Sequence, residues 1–394
     1  MNIHFLVAKD LFRGGGIETY TREVGHRLAA RGHAVTVYST RGDDACPTEW
    51  QGMRIVWLPR VKPYWAEKSS GALVAACMEL AAASPDVIHL HSVAAGATAA
   101  ILRLKRVPCI LQMHGIEWMR TRWGGVARGV LKAMERVSVG SADAITAVSN
   151  TQCEYIKNEY HKKCDYIPTA ADIKEIADPQ QISELGVRAH EYILFAARMV
   201  PEKGAHYLLR AFRHLSPALS LVMAGEPPAV GHYQRELLDL ADNDPKITFA
   251  GHVRGRLLQE LFSNAALFVQ PSELEGCSIG LLEAMSYGIP CLASDIPENK
   301  EVIGDAGMLF HNKDVDDLEQ ALRWSVDHEA AGHELGAKAR HRVEVLFSWD
   351  HVVDQLEELY DHAIWHFRGG HAESVLNPSA TPSRAFLGHT SHHA

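Results

Sequence analysis

No stretch of this chain approaches the roughly 18 consecutive apolar residues that span a bilayer, and its seven cysteines, at 46, 77, 109, 153, 164, 277 and 291, contain no Cys-x-x-Cys pair or regular framework. The first absence leaves only peripheral membrane contact. The second fits a reducing compartment in which most thiols are buried as small hydrophobes. An excess of positive charge is missing as well: the formal net charge is −9, which argues against nucleic acid as a partner, although a local basic face remains open. The opening MNIHFLVAKD has an apolar run too short for a signal peptide and ended by charge, so it reads as a strand and the protein is expected to be cytoplasmic. What remains is ordinary globular composition, 47% hydrophobic and 22% charged over 394 residues, enough for two domains with full cores.

Strand and helix patterns alternate along the chain. Ile3 to Val7, a helix from Ile17 to Ala30 and Ala34 to Tyr38 form a βαβ unit, and further strands are expected at Arg54 to Leu58, Val87 to Leu90, Cys109 to Met113 and Ala144 to Val148. The alternation restarts at Tyr192 to Ala197, then Leu219 to Ala224 leading to Gly225-Glu226, and Ile247 to Gly251. This predicts an α/β chain of two doubly wound parallel sheets. The first domain is expected over 1–172 and the second over 187–347, joined by a linker to about Gly186. A helix over 349–368 returns to the first domain, and 369–394, rich in Ser, Pro, Gly and His, is expected to be disordered.

The most informative stretch runs from Leu267 to Ile303. An apolar strand, Leu267 to Gln270, is closed by Pro271-Ser272; Glu275-Gly276 follow, then a helix from about Ser278 to Tyr287, stopped by Gly288 and Pro290, and a second strand from Cys291. Ligands of such units bind beyond the strand's carboxyl end, where the free N–H groups of a helix start favour negative charge. An anion is therefore expected near Cys277, Ser278, Ile279 and Gly280. Glu275 and Glu283 flank that place, and carboxylates accept hydrogen bonds from hydroxyls while repelling phosphate. A ligand that combines phosphate with polyol groups, such as a nucleotide sugar, suits the combination; either Glu alone would read as a solvated charge.

Glu275 and Glu283, seven residues intervening, set within Pro271-Ser272, Gly276, Leu282-Glu283-Ala284-Met285, Gly288 and Pro290, resemble the signature of family 4 glycosyltransferases, the retaining enzymes related to sucrose synthase and bacterial mannosyltransferases. The resemblance extends over nearly all of the first 368 residues. It implies the GT-B architecture, two Rossmann-like domains facing across a cleft, and transfer of a sugar from a nucleotide-diphosphate donor to an acceptor hydroxyl. The donor is a substrate; no separate cofactor and no essential metal are expected.

Other residues take roles from the same resemblance. Arg198 and Lys203 bracket a turn after the Tyr192 strand, within a pattern like the family's Gly-Arg-(x3)-Glu-Lys-Gly, whose cations hold the donor phosphates; Ala197 replaces the usual Gly. In Arg13-Gly14-Gly15-Gly16-Ile17-Glu18 an ordinary flexible loop fits the residues as well, but the family places backbone N–H groups matching Gly15 and Gly16 near the diphosphate or the acceptor. His114, in His-Gly-x-Glu, would lie against the donor sugar, and Val253 marks a place near the nucleotide base. His89 and His91 read as strand-end residues near the cleft and not as metal ligands. Asp314-Val315-Asp316 has a metal-site spacing, yet it precedes an amphipathic pattern and reads as a helix cap. Tyr166 to Asp172 lacks the family's usual Asn-Gly, and no role is carried onto Asp172.

Trp118, Arg120, Arg122 and Trp123 precede a segment from Val126 to Val139 with Arg128, Lys132 and Arg136. A solvated helix face with buried Trp accounts for this; so does contact with an anionic inner membrane face, in which case the acceptor would be lipid-linked rather than a free saccharide. Cell-envelope polysaccharide or glycolipid assembly is the pathway expected. The competing functions are a nucleotide-sugar epimerase on the same fold, which would convert donor without an acceptor, and a non-catalytic partner subunit that binds donor without turnover.

Overall fold

The computed structural model describes residues 1–369 apart from 8–9, 13, 42–45, 60–63, 121–122, 216–218 and 226–230, and omits the side chains of 64–68 and 214. Arg13, Arg122, Glu226 and the tail 370–394 thus lie outside the described residues.

Two sheets organise the chain. The first contains β1 (Asn2–Leu6), β2 (Ala34–Thr40), β3 (Glu49–Trp50), β4 (Met53–Leu58), β5 (Val87–His91), β6 (Cys109–Met113), β7 (Ala144–Ala147) and β8 (Asp165–Tyr166), in the order β3-β4-β2-β1-β5-β6-β7-β8. Pairing is parallel except between β3 and β4. The second contains β9 (Tyr192–Ala196), β10 (Ser220–Ala224), β11 (Ile247–Gly251), β12 (Leu267–Gln270), β13 (Cys291–Ser294) and β14 (Met308–Phe310), all parallel, in the order β11-β10-β9-β12-β13-β14. Strands such as Leu267–Gln270 and Cys109–Met113 are buried at every position, as helices on both faces of a parallel sheet require; that is why, Gln270 and Gln112 apart, they read as continuous apolar runs.

Each sheet reverses its winding once, between β1 and β5 in the first and between β9 and β12 in the second. At such reversals adjacent loops leave on opposite faces and open a crevice at the strands' carboxyl ends. The Gly14–Gly16 turn follows β1 and His91 ends β5; Arg198 and Lys203 follow β9, and Glu275 follows β12. The topology alone therefore gathers these residues at two crevices.

Helix ends are set by side chains legible in the sequence. Ser278 caps the helix Ile279–Tyr287 by accepting from Leu281 N at 3.3 Å, and left-handed Gly288 ends it. Asp314 Oδ1 accepts from Asp316 N and Asp317 N, both at 3.0 Å, at the start of the helix Val315–Asp327, so the Asp-x-Asp spacing here is a cap.

The helix Trp349–Phe367 returns to the first domain. Trp349, Val352, Val353, Leu356 and Tyr360 share one core with Ile3, Phe5 and Tyr20, and each fully buried aliphatic side chain there contributes about 1.5–3 kcal/mol. Beside it, Ala171 N donates to Phe347 O at 3.0 Å, so the outgoing and returning strands of chain run together. Arg340 Nη1 reaches both Lys174 O, at 2.8 Å, and Ser286 O, at 2.6 Å, tying the linker to the second domain. Asp172 pairs with Arg27 at 2.7 Å, a contact between linker and first domain.

Candidate active site

The second-domain half of the site starts from a tight turn. Gly204 has φ 71°, and a Cβ on it would lie 1.8 Å from Pro271 O. Only glycine lets the turn Pro201–Lys203 press against the end of β12. That contact brings Lys203 Nζ onto Glu275 Oε1. Glu275 is buried and its Oε1 also accepts from Gln270 Nε2 at 2.8 Å. Glu273 N donates to Glu202 O at 2.9 Å, so the two loops are joined through backbone as well. Cys277 and Ser278 lead into the next helix; burial raises the Cys277 thiol's pKa. The Ser278 cap takes one N–H group, leaving the earlier ones of the first turn, at Ile279 and Gly280, without partners inside the helix.

Glu283, one turn into that helix, is half-buried. Desolvation pushes its pKa up to about 7, against the pull of Lys174 and with a smaller upward push from Glu23 of the first domain. Arg198 is exposed at the end of β9 and has no side-chain partner among the described residues. Val253 is half-buried and packs on the second domain's core, beyond β11. Arg198 follows β9, beside β12 at the reversal, whereas Val253 follows β11, two strands away at the sheet's edge.

The first domain supplies the opposite wall. A Cβ on Gly276 would come 2.2 Å from His114 O, and one on Gly16 would touch Ile279 Cδ1 at 3.7 Å, so the two domains meet along His114, Gly16 and the loop after β12. Gly15, at φ 149°, opens the helix Gly16–Ala30. Gln152 Nε2 donates to Gly276 O at 3.2 Å from the first domain. Of the sequence-predicted residues, then, His114, Gly15, Gly16, Lys203, Glu275 and the 277–280 segment lie along one cleft, Arg198 follows β9 at its edge and Glu283 lies one turn into the adjoining helix, while Val253 lies apart from them beyond β11.

His114 is held from behind. Its Nε2 lies 3.2 Å from His91 Nδ1, with the rings 24° from coplanar and their centroids 5.5 Å apart, an edge-to-edge hydrogen bond and not a face stack. Tyr20 packs edge-on against it at 5.0 Å. His89 stacks on His91 at 4.4 Å and meets Tyr360 Oη at 2.6 Å. Burial holds His91 well below the usual imidazole range and His89 down to about 3, so both are neutral. The His-x-His pair is thus a buried brace running from the returning helix to the cleft.

By sequence Arg120 belongs to a basic segment that reads as a solvated face or as a membrane contact. It instead points across the cleft, with Nε on Glu117 Oε2 at 3.1 Å and Nη1 on second-domain Glu202 Oε1 at 3.2 Å. Trp118 is also engaged: its Nε1 donates to Tyr155 Oη at 3.3 Å and Glu135 Oε1 at 3.4 Å, with Lys132 Nζ 5.1 Å over its ring. Beside this bridge a cavity of about 370 Å³ opens between the domains, lined by Trp118, Met119 and Arg128 on one side and Glu202, Glu273, Leu274 and Lys313 on the other. Sequence reasoning missed Arg120, Glu202, Gln152 and the bracing role of His91, because each acts through a partner far away in the chain.

Glu283 generates a pH prediction. Its pKa is raised to about 7 from 4.5, so between those values the unfolded chain binds fewer protons than the folded one, and stability falls as pH rises through the window. Glu283→Gln removes the charged form. Its melting temperature should match that of the unmodified protein at pH 5 and exceed it at pH 8; an equal difference at both pH values would contradict the assignment.

Residues 15–168 match the family described as the glycosyl transferase 4-like domain, and residues 180–342 match glycosyl transferases group 1. Alpha-maltose-1-phosphate synthase of Mycolicibacterium smegmatis is 28% identical over 308 residues, 71% of this chain and 79% of that one. Sucrose-phosphate synthase from Thermosynechococcus elongatus superposes with a TM-score of 0.81 at 20% identity, over 92% of this chain and 99% of that chain. HepE of Anabaena, solved with UDP and glucose, superposes with a TM-score of 0.75 at 16% identity, over 92% and 100% of the two chains. With both halves matched in order and the two facing sheets of the GT-B fold in place, this chain belongs to the group 1, family-4-like glycosyltransferases.

Proposed function

We propose that this glycosyltransferase is a retaining enzyme that takes its sugar from a nucleoside diphosphate donor seated on the second domain, with the acceptor entering between the domains. The observation that carries this reading is Lys203 held on Glu275 at the second sheet's reversal point. A cation paired with a buried carboxylate at this place is poised to exchange that partner for a diphosphate. Arg198, exposed and unpaired among the described residues, adds a planar fork for the same phosphates. The N–H groups at the start of the helix Ile279–Tyr287, from Cys277 to Gly280, face the negative charge that develops on the leaving diphosphate.

Glu275, released from Lys203, would accept hydrogen bonds from sugar hydroxyls, and Glu283 from ribose or sugar. Val253 marks the base end. His114, braced by His91, would face the sugar from the first domain, and the Gly15–Gly16 backbone would approach the diphosphate or the acceptor. The cavity bounded by Trp118, Glu202 and Lys313 offers an apolar ring together with paired carboxylates and cations, a surface suited to a saccharide acceptor. No covalent carboxylate nucleophile is assigned; the leaving phosphate would help deprotonate the acceptor on the same face. HepE, similar in fold, was solved with UDP and glucose, which makes UDP the first nucleotide to try.

The test is a thermal-shift series with UDP, GDP, ADP and their common sugar conjugates, on the unmodified protein and on Lys203→Ala. At 100 times its dissociation constant the right ligand stabilises by about 2.7 kcal/mol. The shift should vanish in the variant, and transfer should fall roughly 10²- to 10³-fold. Binding with no transfer to any saccharide or lipid-linked acceptor would favour a non-catalytic subunit. No shift with any nucleotide would remove the donor site.

The acceptor is proposed to be presented at an anionic membrane face, in cell-envelope polysaccharide or glycolipid synthesis. Support comes from the helix Gly125–Ser141, where Val126 (86% exposed), Val130 (56%) and Val137 (45%) sit beside exposed Arg128 and Arg136. Among the described residues no helix is long and apolar enough to cross a membrane, so contact would be peripheral. The protein should sediment with anionic vesicles and lose that property in the Val126→Asp, Val130→Asp double variant. Indifference of the unmodified protein to such vesicles would end the membrane proposal and leave glycosyl transfer intact.

A further inference from the structure

Spacing along the chain hides a pairing among the cysteines. Cys153 lies in the first turn of the helix Asn150–Tyr160, Cys164 directly precedes β8, and their Sγ atoms are 3.2 Å apart. Both side chains are half-buried against the core formed by Leu111, Met113, Val139, Ile145 and Ile156, so small oxidants have access that Cys109 and Cys291, fully buried, do not allow. The two thiols also differ from each other. Cys153 sits in the first turn of its helix, where the helix N-terminus favours the thiolate, whereas Cys164 leads into β8 with Asp165 beside it, which disfavours one. Cys153 is therefore the readier thiolate, with a second sulfur within reach. Among the described residues no third His, Cys, Asp or Glu joins them in a metal-binding group, which leaves thiol–disulfide chemistry.

We propose that Cys153 and Cys164 form an oxidisable dithiol site, in which Cys153 attacks a low-molecular-weight disulfide and Cys164 resolves the product. In the first step the Cys153 thiolate bonds to one sulfur of the reagent, its S–S bond breaks, and the departing thiolate takes up a proton. In the second, Cys164 gives up its proton to solvent and attacks Cys153 Sγ, expelling the other half of the reagent as a second thiol. Two protein thiols and one small disulfide thus yield one protein disulfide and two small thiols, and the small disulfide is the oxidant.

The site adjoins the joint between the domains. The helix that carries Cys153 also carries Asn150, whose N and Nδ2 donate to Glu301 at 2.9 and 3.1 Å, and Gln152, which donates to Gly276 O at 3.2 Å. Closing the ring ties this helix to β8 and so stiffens the element through which the first domain holds the loop beside Glu275.

The experiment treats the reduced full-length protein with oxidised glutathione, alkylates the remaining thiols and maps peptides by mass spectrometry, with amide hydrogen exchange run on the same samples. The expected product is a Cys153–Cys164 cross-linked peptide lighter by two hydrogen atoms, formed ahead of any other disulfide, with slower exchange over 149–160. In Cys164→Ser, Cys153 should accumulate as a glutathione mixed disulfide. In Cys153→Ser, Cys164 should remain alkylatable. Full alkylation of both cysteines in the treated unmodified protein would overturn the site; Cys164 as the glutathione-bearing residue would overturn the order of attack. Disulfide formation with unchanged exchange over 149–160 would overturn its coupling to the joint. None of these readouts requires a nucleotide or an acceptor, so they stand apart from the donor-site test.

Discussion

Gly276 has no room for a side chain: a Cβ there would lie 2.2 Å from the carbonyl oxygen of His114. Through this close approach the backbone after β12 of one domain rests on the backbone after β6 of the other, and the cleft's geometry follows from it. Glu275 is the preceding residue, so its carboxylate is placed relative to His114 by main chain, whose positional freedom is far smaller than that of a long side chain. The neighbouring contacts reinforce the position: Gln152 donates to Gly276 O, and Gly16 lies against Ile279. Pre-positioned groups of this kind lower a barrier because they need no reorganisation when charge develops.

Charge is arranged on the same frame. Lys203 and Glu275 neutralise each other inside the second domain, while Arg120 reaches from the first domain to Glu202, the residue before Lys203. Buried or half-buried ion pairs gain little net stability once desolvation is counted. Their value here is readiness. In the proposed function a diphosphate arriving at Lys203 would free Glu275 to accept sugar hydroxyls, and the Arg120–Glu202 bridge would stand beside the path of the acceptor. Burial keeps His91 and His89, behind His114, neutral, so the brace itself adds no imidazolium charge to the cleft.

Much of this was legible in the sequence because its cause is local. Strands buried on both faces read as short apolar runs, and β1, β6, β9 and β12 lie within a residue or so of where those runs predicted them. Ser278 and Asp314 were readable as caps, since a cap is a matter of three or four consecutive residues. The two- and three-residue strands β3, β8 and β14 were not, being too short to show a period. Nor were the long-range pairings: Arg120 with Glu202, 82 positions apart, His89 with Tyr360, 271 apart, and Cys153 with Cys164 across a helix and a turn. Arg120 shows the limit most clearly. Its neighbours in sequence suggested a basic face turned to solvent or to a membrane, while its partners in space place it in the cleft.

In the proposed function the donor, seated on the second domain, is also touched by the first through His114. Hydrogen–deuterium exchange of the full chain, with and without the sugar nucleotide that shifts its melting, tests this directly. The account predicts slower exchange on donor binding in the first domain at 113–117 together with the second domain at 198–204 and 275–283. Protection confined to the second domain, with 113–117 unchanged, would contradict it.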